Sequence, residues 1–170
     1  GSKLSIMRRT HSEKIADNIS PLMKSLSPEL VDIKLEYQKG WNAESYGEAL
    51  AAGRERDLDR GVTHSGPHRA DLSMFRAKVP ARAVLSRGEQ KMLAVALLLT
   101  QAQILADLDE PPLILLDDLA SEFDHEHFHS ALVHAQNIGG QVWITGTRHP
   151  ELDGSHKVFH VEQGDVQEVL

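Results

Sequence analysis

Asp117 and Asp118 stand side by side after the apolar run Pro112-Leu113-Ile114-Leu115-Leu116, a pairing that packing alone does not call for. Two acids in that position suit metal-assisted chemistry, with one carboxylate holding Mg2+ and its neighbour positioning a water. A second group lies upstream in Ser86-Arg87-Gly88-Glu89-Gln90-Lys91. Ser86 with Glu89 three residues on spells a capping box, in which each side chain satisfies an otherwise unpaired backbone N–H. Gly88 falls in the first turn of the helix so opened, where it costs about 1 kcal/mol relative to Ala. Close approach to the backbone would explain that cost. A phosphate is the natural visitor, because free N–H groups and the positive end of the helix dipole converge there, and Arg87 lies beside it.

The elements that must position these groups follow from periodicity and punctuation. The long apolar run Met92 to Leu105 continues the helix opened at Ser86. Leu113 to Leu116 lacks alternation, which predicts a strand buried on both faces of a parallel α/β sheet. Acids at the C-terminal edge of such a sheet lie where its ligands bind. Ala120-Ser121-Glu122-Phe123-Asp124 follows, with Asp124 the predicted N-cap of a helix reaching about Asn137 and packing through Phe128, Leu132 and Val133. Gly139-Gly140 ends it, and Gln141 to Thr145 reads as another buried strand running into Gly146-Thr147. Val158 to Val161 and Val166 to Leu170 flank Gln163-Gly164 and predict a closing hairpin on the sheet edge.

Nearer the start, Ile15, Ile19, Leu22, Met23 and Leu26 recur at helical spacing between Lys3 and Ser27, with Pro21 expected to kink or interrupt the helix. Val31 to Gln38 alternates as a half-buried strand ended by Gly40, and Glu44 to about Arg60 is helical again. Thr63 to Arg69 is a loop punctuated by Gly66-Pro67, whose His64, His68 and Arg69 would suit an anion or an acidic partner; the plainer alternative pairs Arg69 with Asp71. Asp71 to Phe75 and Val79 to Val84 read as a hairpin leading to Ser86. His125 and His129 share a helical face at the i, i+4 spacing of a metal pair, but without a third ligand a solvated polar face is the better reading.

Composition bounds the rest. The 170 residues are 41% apolar and 25% charged, enough for a respectable core in one or two domains. No apolar run approaches the roughly 20 residues of a membrane span. The absence of cysteine excludes disulfides, thiolate metal sites and thiol catalysis, in keeping with a cytoplasmic setting. A formal charge of −7 argues against a broad basic surface for nucleic acid. Local clusters remain, around Lys3, Arg8, Arg9 and Lys14 and around Arg54, Arg56 and Arg60, for which solvated helix faces are the plainer reading. Gly1-Ser2 reads as a cloning scar, so the chain is expected to have been expressed without its N-terminal half.

Leu85-Ser86-Arg87-Gly88-Glu89-Gln90-Lys91, then Leu113-Ile114-Leu115-Leu116-Asp117-Asp118, then Ala120 to Asp124 resemble the signature motif, Walker B strand and D-loop of ABC-type ATPases. Gly66-Pro67-His68-Arg69 ahead of them narrows the resemblance to the RecF family of recombination-mediator ATPases, over nearly the whole chain from Lys3. The resemblance implies the C-terminal lobe of an ATPase head over residues 61–170, with residues 3–60 the end of a helical arm (lobe II) carrying one strand. It further implies a homodimer in which Ser86, Arg87, Gly88 and Gln90 of one subunit close over ATP held by the other. Asp117 would bind Mg2+, Asp118 would orient the attacking water, and Ser121 and Asp124 would lie at the subunit contact. The switch His of such ATPases is missing, and Thr145 or Thr147 would replace it; His149 is not equivalent. No G-x-x-x-x-G-K-[ST] occurs, so this chain alone is expected to be inactive and the full-length protein a slow ATPase. Expected partners are DNA, preferably gapped or at a single/double-strand junction, and mediators of the RecR and RecO type, with no membrane, in recombinase loading, DNA repair and the SOS response. A partner-docking module without hydrolysis and, more remotely, a transporter nucleotide-binding subunit are the alternatives.

Overall fold

The computed structural model describes every residue except 148, 150, 151, 153, 154 and 170. It is a mixture of helices and short sheets built around α1 (Ser2–Leu26) and α4 (Arg87–Ala106). Ile19, Met23 and Leu26 of α1 pack with Met92, Leu93, Ala96 and Leu99 of α4. α6 (His125–Asn137) completes the layer through Ala131 and Ala135, and Ile114 of β4 (Ile114–Leu116) joins the same cluster. These residues recur every three or four positions, so each helix offers one apolar stripe to the others.

Pro21 neither kinks α1 nor ends it: the helix runs unbroken across it. Pro21 is exposed while Ile19 and Met23 beside it are buried. Packing of that stripe outweighs the lost backbone hydrogen bond, whose carbonyl is free to take water.

Three antiparallel strands cover one side of the helices in the order β1-β2-β3, with β1 Lys34–Gln38, β2 Asp71–Arg76 and β3 Val79–Pro80. Here the predicted first strand starts late, because Pro28–Leu30 forms a 3-10 turn that buries Leu30 completely. The predicted Val79 to Val84 strand also breaks early, since Ala81–Val84 coils into the one-turn helix α3 and buries Ala81. Between β1 and β2 lies α2 (Tyr46–Arg60), started by a capping box of Ser45 and Glu48. Gly40 has φ +87, and a Cβ there would meet Gly66 O at 2.3 Å. Only glycine lets the end of β1 press against the Gly66-Pro67 turn, where Gly66 N–H donates to Gly40 O at 3.0 Å.

β4 pairs in parallel with β5 (Val142–Ile144), Leu116 opposite Ile144. Both faces were expected to be buried, yet only one is: Ile114 is 8% exposed, whereas Leu115 is 69% and Trp143 49% exposed. Neighbouring residues of a strand point to opposite faces, and the helices cover only the Ile114 side. The C-terminal hairpin, β6 (Phe159–Glu162) with β7 (Asp165–Glu168), forms its own two-stranded sheet rather than an edge of β4–β5. It is linked to β5 by the stacked rings of Trp143 and Phe159, 6.3 Å apart. Leu170, the expected end of this hairpin, lies outside the described residues. Among the described residues no helix is long and apolar enough to cross a membrane.

Candidate functional site

Two parallel strands ending side by side bring Asp117, Asp118 and Thr145 together. Thr145 N–H donates to Leu116 O at 3.0 Å, which prolongs the ladder just past the strand ends. The Thr145 hydroxyl then donates to Asp117 Oδ1 at 2.5 Å and accepts from Asp118 N–H at 3.0 Å. One hydroxyl thus fixes the first acid by its carboxylate and the second by its backbone. All three residues are exposed at the carboxyl edge of the sheet, where parallel sheets receive ligands.

Asp118 opens the short helix α5 (Leu119–Glu122) with φ 50 and ψ 27, a left-handed conformation that costs an L-residue roughly 1–2 kcal/mol. Ser121 holds it, its Oγ donating to Asp118 Oδ2 at 2.6 Å with Asp118 O within 3.0 Å of the same hydroxyl. Strain of this kind concentrates where a side chain must be aimed. Asp124 caps α6, accepting from His127 N–H at 3.0 Å. That backbone bond, with the bonded His127 ring behind it, holds the Asp124 carboxyl below its ordinary range.

Ser86 caps α4 as its spacing predicts: Oγ accepts from Glu89 N–H at 3.2 Å, and Ser86 N–H donates to Glu89 Oε2 at 2.7 Å. The Ser86 N–H bond depresses the Glu89 pKa, with help from Arg76. Gln90 turns back along the chain and donates to Leu85 O at 2.9 Å. Ser86, Arg87 and Gly88 are exposed, and a Cβ on Gly88 would meet nothing within 4 Å. No packing inside this chain demands a glycine there.

Lys91 of α4 pairs with Glu122 of α5, joining the first turns of α4 to the segment after the acids. Arg76 clamps the other side, reaching Glu89 at 3.3 Å, Asp32 at 3.1 Å and the carbonyl of Glu29. Neither contact is legible in the sequence, since the partners lie on separate elements and no spacing rule links them. His68 Nε2 bonds Thr63 O at 2.9 Å, and Arg8 donates to Pro67 O at 2.6 Å, tying α1 to this turn. Arg69 is exposed, and among the described residues no ion pair joins it to Asp71. Thr147 is exposed beyond β5, and His149 lies 5.5 Å ring to ring from His156. His125 and His129 stack 6.2 Å apart, but among the described residues no three metal-ligating side chains gather.

No family model matches the chain. Curated relatives named DNA replication and repair protein RecF do. That of Thioalkalivibrio sulfidiphilus is 38% identical over 175 residues, covering 98% of this chain and 48% of the relative. That of Shewanella pealeana is 36% identical, over 91% of this chain and 46% of the relative. Among solved structures, the recombination mediator protein RecF-ATP in the RecFOR pathway superposes with a TM-score of 0.76 over the whole chain and 47% of that one, at 24% identity. RecF-ATPrS superposes at 0.72 over 96% of this chain and 46% of that one, at 25% identity. The chain spans about half the length of the curated relatives it matches. The relatives and the solved structures therefore agree on one identification: the chain is RecF-like over nearly its whole length, in keeping with a C-terminal part of such a protein.

Proposed function

We propose that this chain is the C-terminal part of an ATP-dependent DNA-binding recombination mediator, in which ATP joins two subunits on DNA and its hydrolysis releases them. The observation that carries this reading is the set Asp117, Asp118 and Thr145 at the carboxyl edge of parallel β4 and β5, with Asp118 held in a left-handed conformation by Ser121. Asp117 would hold Mg2+ directly or through water, and Asp118 would orient the attacking water. Thr145 keeps the two in register and is the better candidate than Thr147 for the switch role. An Asp in place of a longer Glu reaches less far toward that water, which suits slow hydrolysis used as a timer.

Ser86, Arg87, Gly88 and Gln90 would close over the nucleotide of the opposite subunit. The open space above Gly88 supports this, since the chain itself leaves the glycine unexplained. Ser121 and Asp124 would flank the subunit contact, and Lys91–Glu122 would carry a shift of the signature helix to the D-loop. Residues 3–60 would be the end of the arm and 61–170 the lobe of the head, sharing one core. The exposed Leu115 and Trp143 face is an apolar surface that a further sheet layer would cover, because parallel strands are normally buried on both faces. His68 and Arg69 would contact an anion or an acidic partner, and mediators of the RecR and RecO type would dock on the assembled protein in the cytoplasm.

The test is sedimentation of the longer protein with ATP and Mg2+, comparing wild type with Ser86→Arg and Asp118→Asn. ATP should drive dimerisation, Ser86→Arg should abolish it and Asp118→Asn should prolong it. Association indifferent to ATP and to both substitutions would leave a docking module without hydrolysis as the better reading.

A further inference from the structure

Far along the chain from the acids, a cleft of about 670 Å3 opens between the N-terminal helix, the end of β1 and α2. Arg9 comes to it from α1, Lys39 and Trp41 from the segment after β1, Arg56 from α2 and His64 from the following loop, with Tyr37 on its wall. Among the described residues no Asp or Glu lines it. In a chain of net charge −7, basic groups from four separate segments have converged without an acid on the wall.

Gathering like charges is unfavourable unless an anion joins them. Asp57, which does not line the cleft, pairs with two of these groups, 2.9 Å from His64 and 3.6 Å from Arg56. Arg9 and Lys39 have no ion-pair partner among the described residues. Lys39 is already positioned: its Nζ donates to Ala43 O at 2.6 Å and lies 5.5 Å from the Trp41 ring centroid, with two protons left to give. Trp41 is 7% exposed and its buried Nε1 has no hydrogen-bond acceptor, an omission that costs a buried donor about 1–3 kcal/mol. The wall therefore offers basic groups without a lining acid, and the buried Trp41 Nε1 lies beneath it. An anion in the cleft would give Arg9 and Lys39 the partner they lack.

We propose that this cleft is a phosphate-binding site for the backbone of a nucleic-acid strand. It rests on the reading of the protein as DNA-binding and assigns a surface to that contact. At about 670 Å3 the cleft has room for more than one phosphate group, which fits a stretch of backbone better than a free ion. Lys39, held by Ala43 O and beside the Trp41 ring, is in place before the strand arrives, while Arg9 and Arg56 are exposed side chains on α1 and α2.

The test is fluorescence anisotropy of this 170-residue chain with a labelled single-stranded oligonucleotide at about 0.1 M NaCl. Arg9→Gln with Arg56→Gln removes two exposed cations of the cleft; Lys3→Gln with Lys14→Gln removes the same charge from parts of α1 that do not line it. With a salt exponent of about 0.7 per phosphate contact on single strands, each lost contact weakens binding about fivefold at that salt. The cleft variant should then bind about 25-fold more weakly, with a salt slope shallower by about 1.4, and the other variant within about threefold of wild type. Equal losses in both, or no binding by the wild type, would overturn the proposal. The indole N–H of Trp41 supplies a second readout by NMR, with Trp143→Phe assigning the two tryptophan signals. It should shift on adding the oligonucleotide; a shift with inorganic phosphate alone and none with the oligonucleotide would make this a free-phosphate site and sink the nucleic-acid assignment. No ATP enters these measurements, so their failure leaves the ATP-driven dimer to be judged by sedimentation.

Discussion

Gly88→Ala separates what the fold needs from what a ligand needs. Gly88 lies in the first turn of α4, and an added Cβ meets nothing within 4 Å, so the substitution brings no clash. Helical glycine is disfavoured relative to alanine by roughly 0.5–1 kcal/mol, and the first turn belongs at the lower end of that range. Alanine should therefore stabilise this chain by about 0.5 kcal/mol, a rise of about 1–2 °C in melting temperature for a domain of this size. Differential scanning calorimetry measures that directly. In the longer protein the same methyl group would stand where the phosphates of the opposite subunit approach, and ATP-dependent dimerisation should weaken at least tenfold by sedimentation. A gain in stability with dimerisation intact would refute the reasoning, because the glycine would then have no role in nucleotide approach. A loss of stability would show that the first turn of α4 is more crowded than its geometry indicates.

Further outcomes follow from the same contacts. Thr145→Val removes the hydroxyl between Asp117 and Asp118; with two exposed hydrogen bonds of about 0.5–1.5 kcal/mol each, melting should fall by about 2–12 °C, and Thr145→Ser should restore most of it. Lys91→Ala should change stability by less than about 1 kcal/mol in urea unfolding, since both partners of the Lys91–Glu122 pair are about half exposed. Leu99→Ala, at a side chain 4% exposed in the α1–α4 core, should cost about 2–5 kcal/mol in the same assay. Glu89 and Asp124 have pKa values held below their ordinary 4.5 and 3.8, so their contribution is present above those values and is lost as pH falls through the lower folded values. Melting temperature measured from pH 6 to pH 2 should drop in that acid window, and Glu89→Gln should flatten the drop.

Local chemistry made several elements legible. The Ser86–Glu89 box, the Asp124 cap and the long helix from Arg87 were readable because capping and helical periodicity act within a few residues. The order of acids after an apolar strand was readable for the same reason, and it carried the resemblance that the relatives then bore out. Pro21 misled because its local cost is real but smaller than the tertiary packing of Ile19 and Met23 around it. Leu115 misled because an apolar side chain shows a preference for burial, and only the arrangement of helices says which face receives cover.

By itself, then, the sequence determined where α4 and α6 start, the apolar stripe of α1 and which acids follow a strand, since these depend on neighbours along the chain. Tertiary structure decided that Thr145 bridges Asp117 to Asp118, that Arg76 reaches Asp32 and Glu89, and that Arg9, Lys39, Arg56 and His64 share one cleft. The Thr145 and Arg76 contacts join residues 13 to 44 positions apart. No spacing rule encodes them, because they exist only after burial of the α1–α4 core has fixed the distance between the elements that carry them.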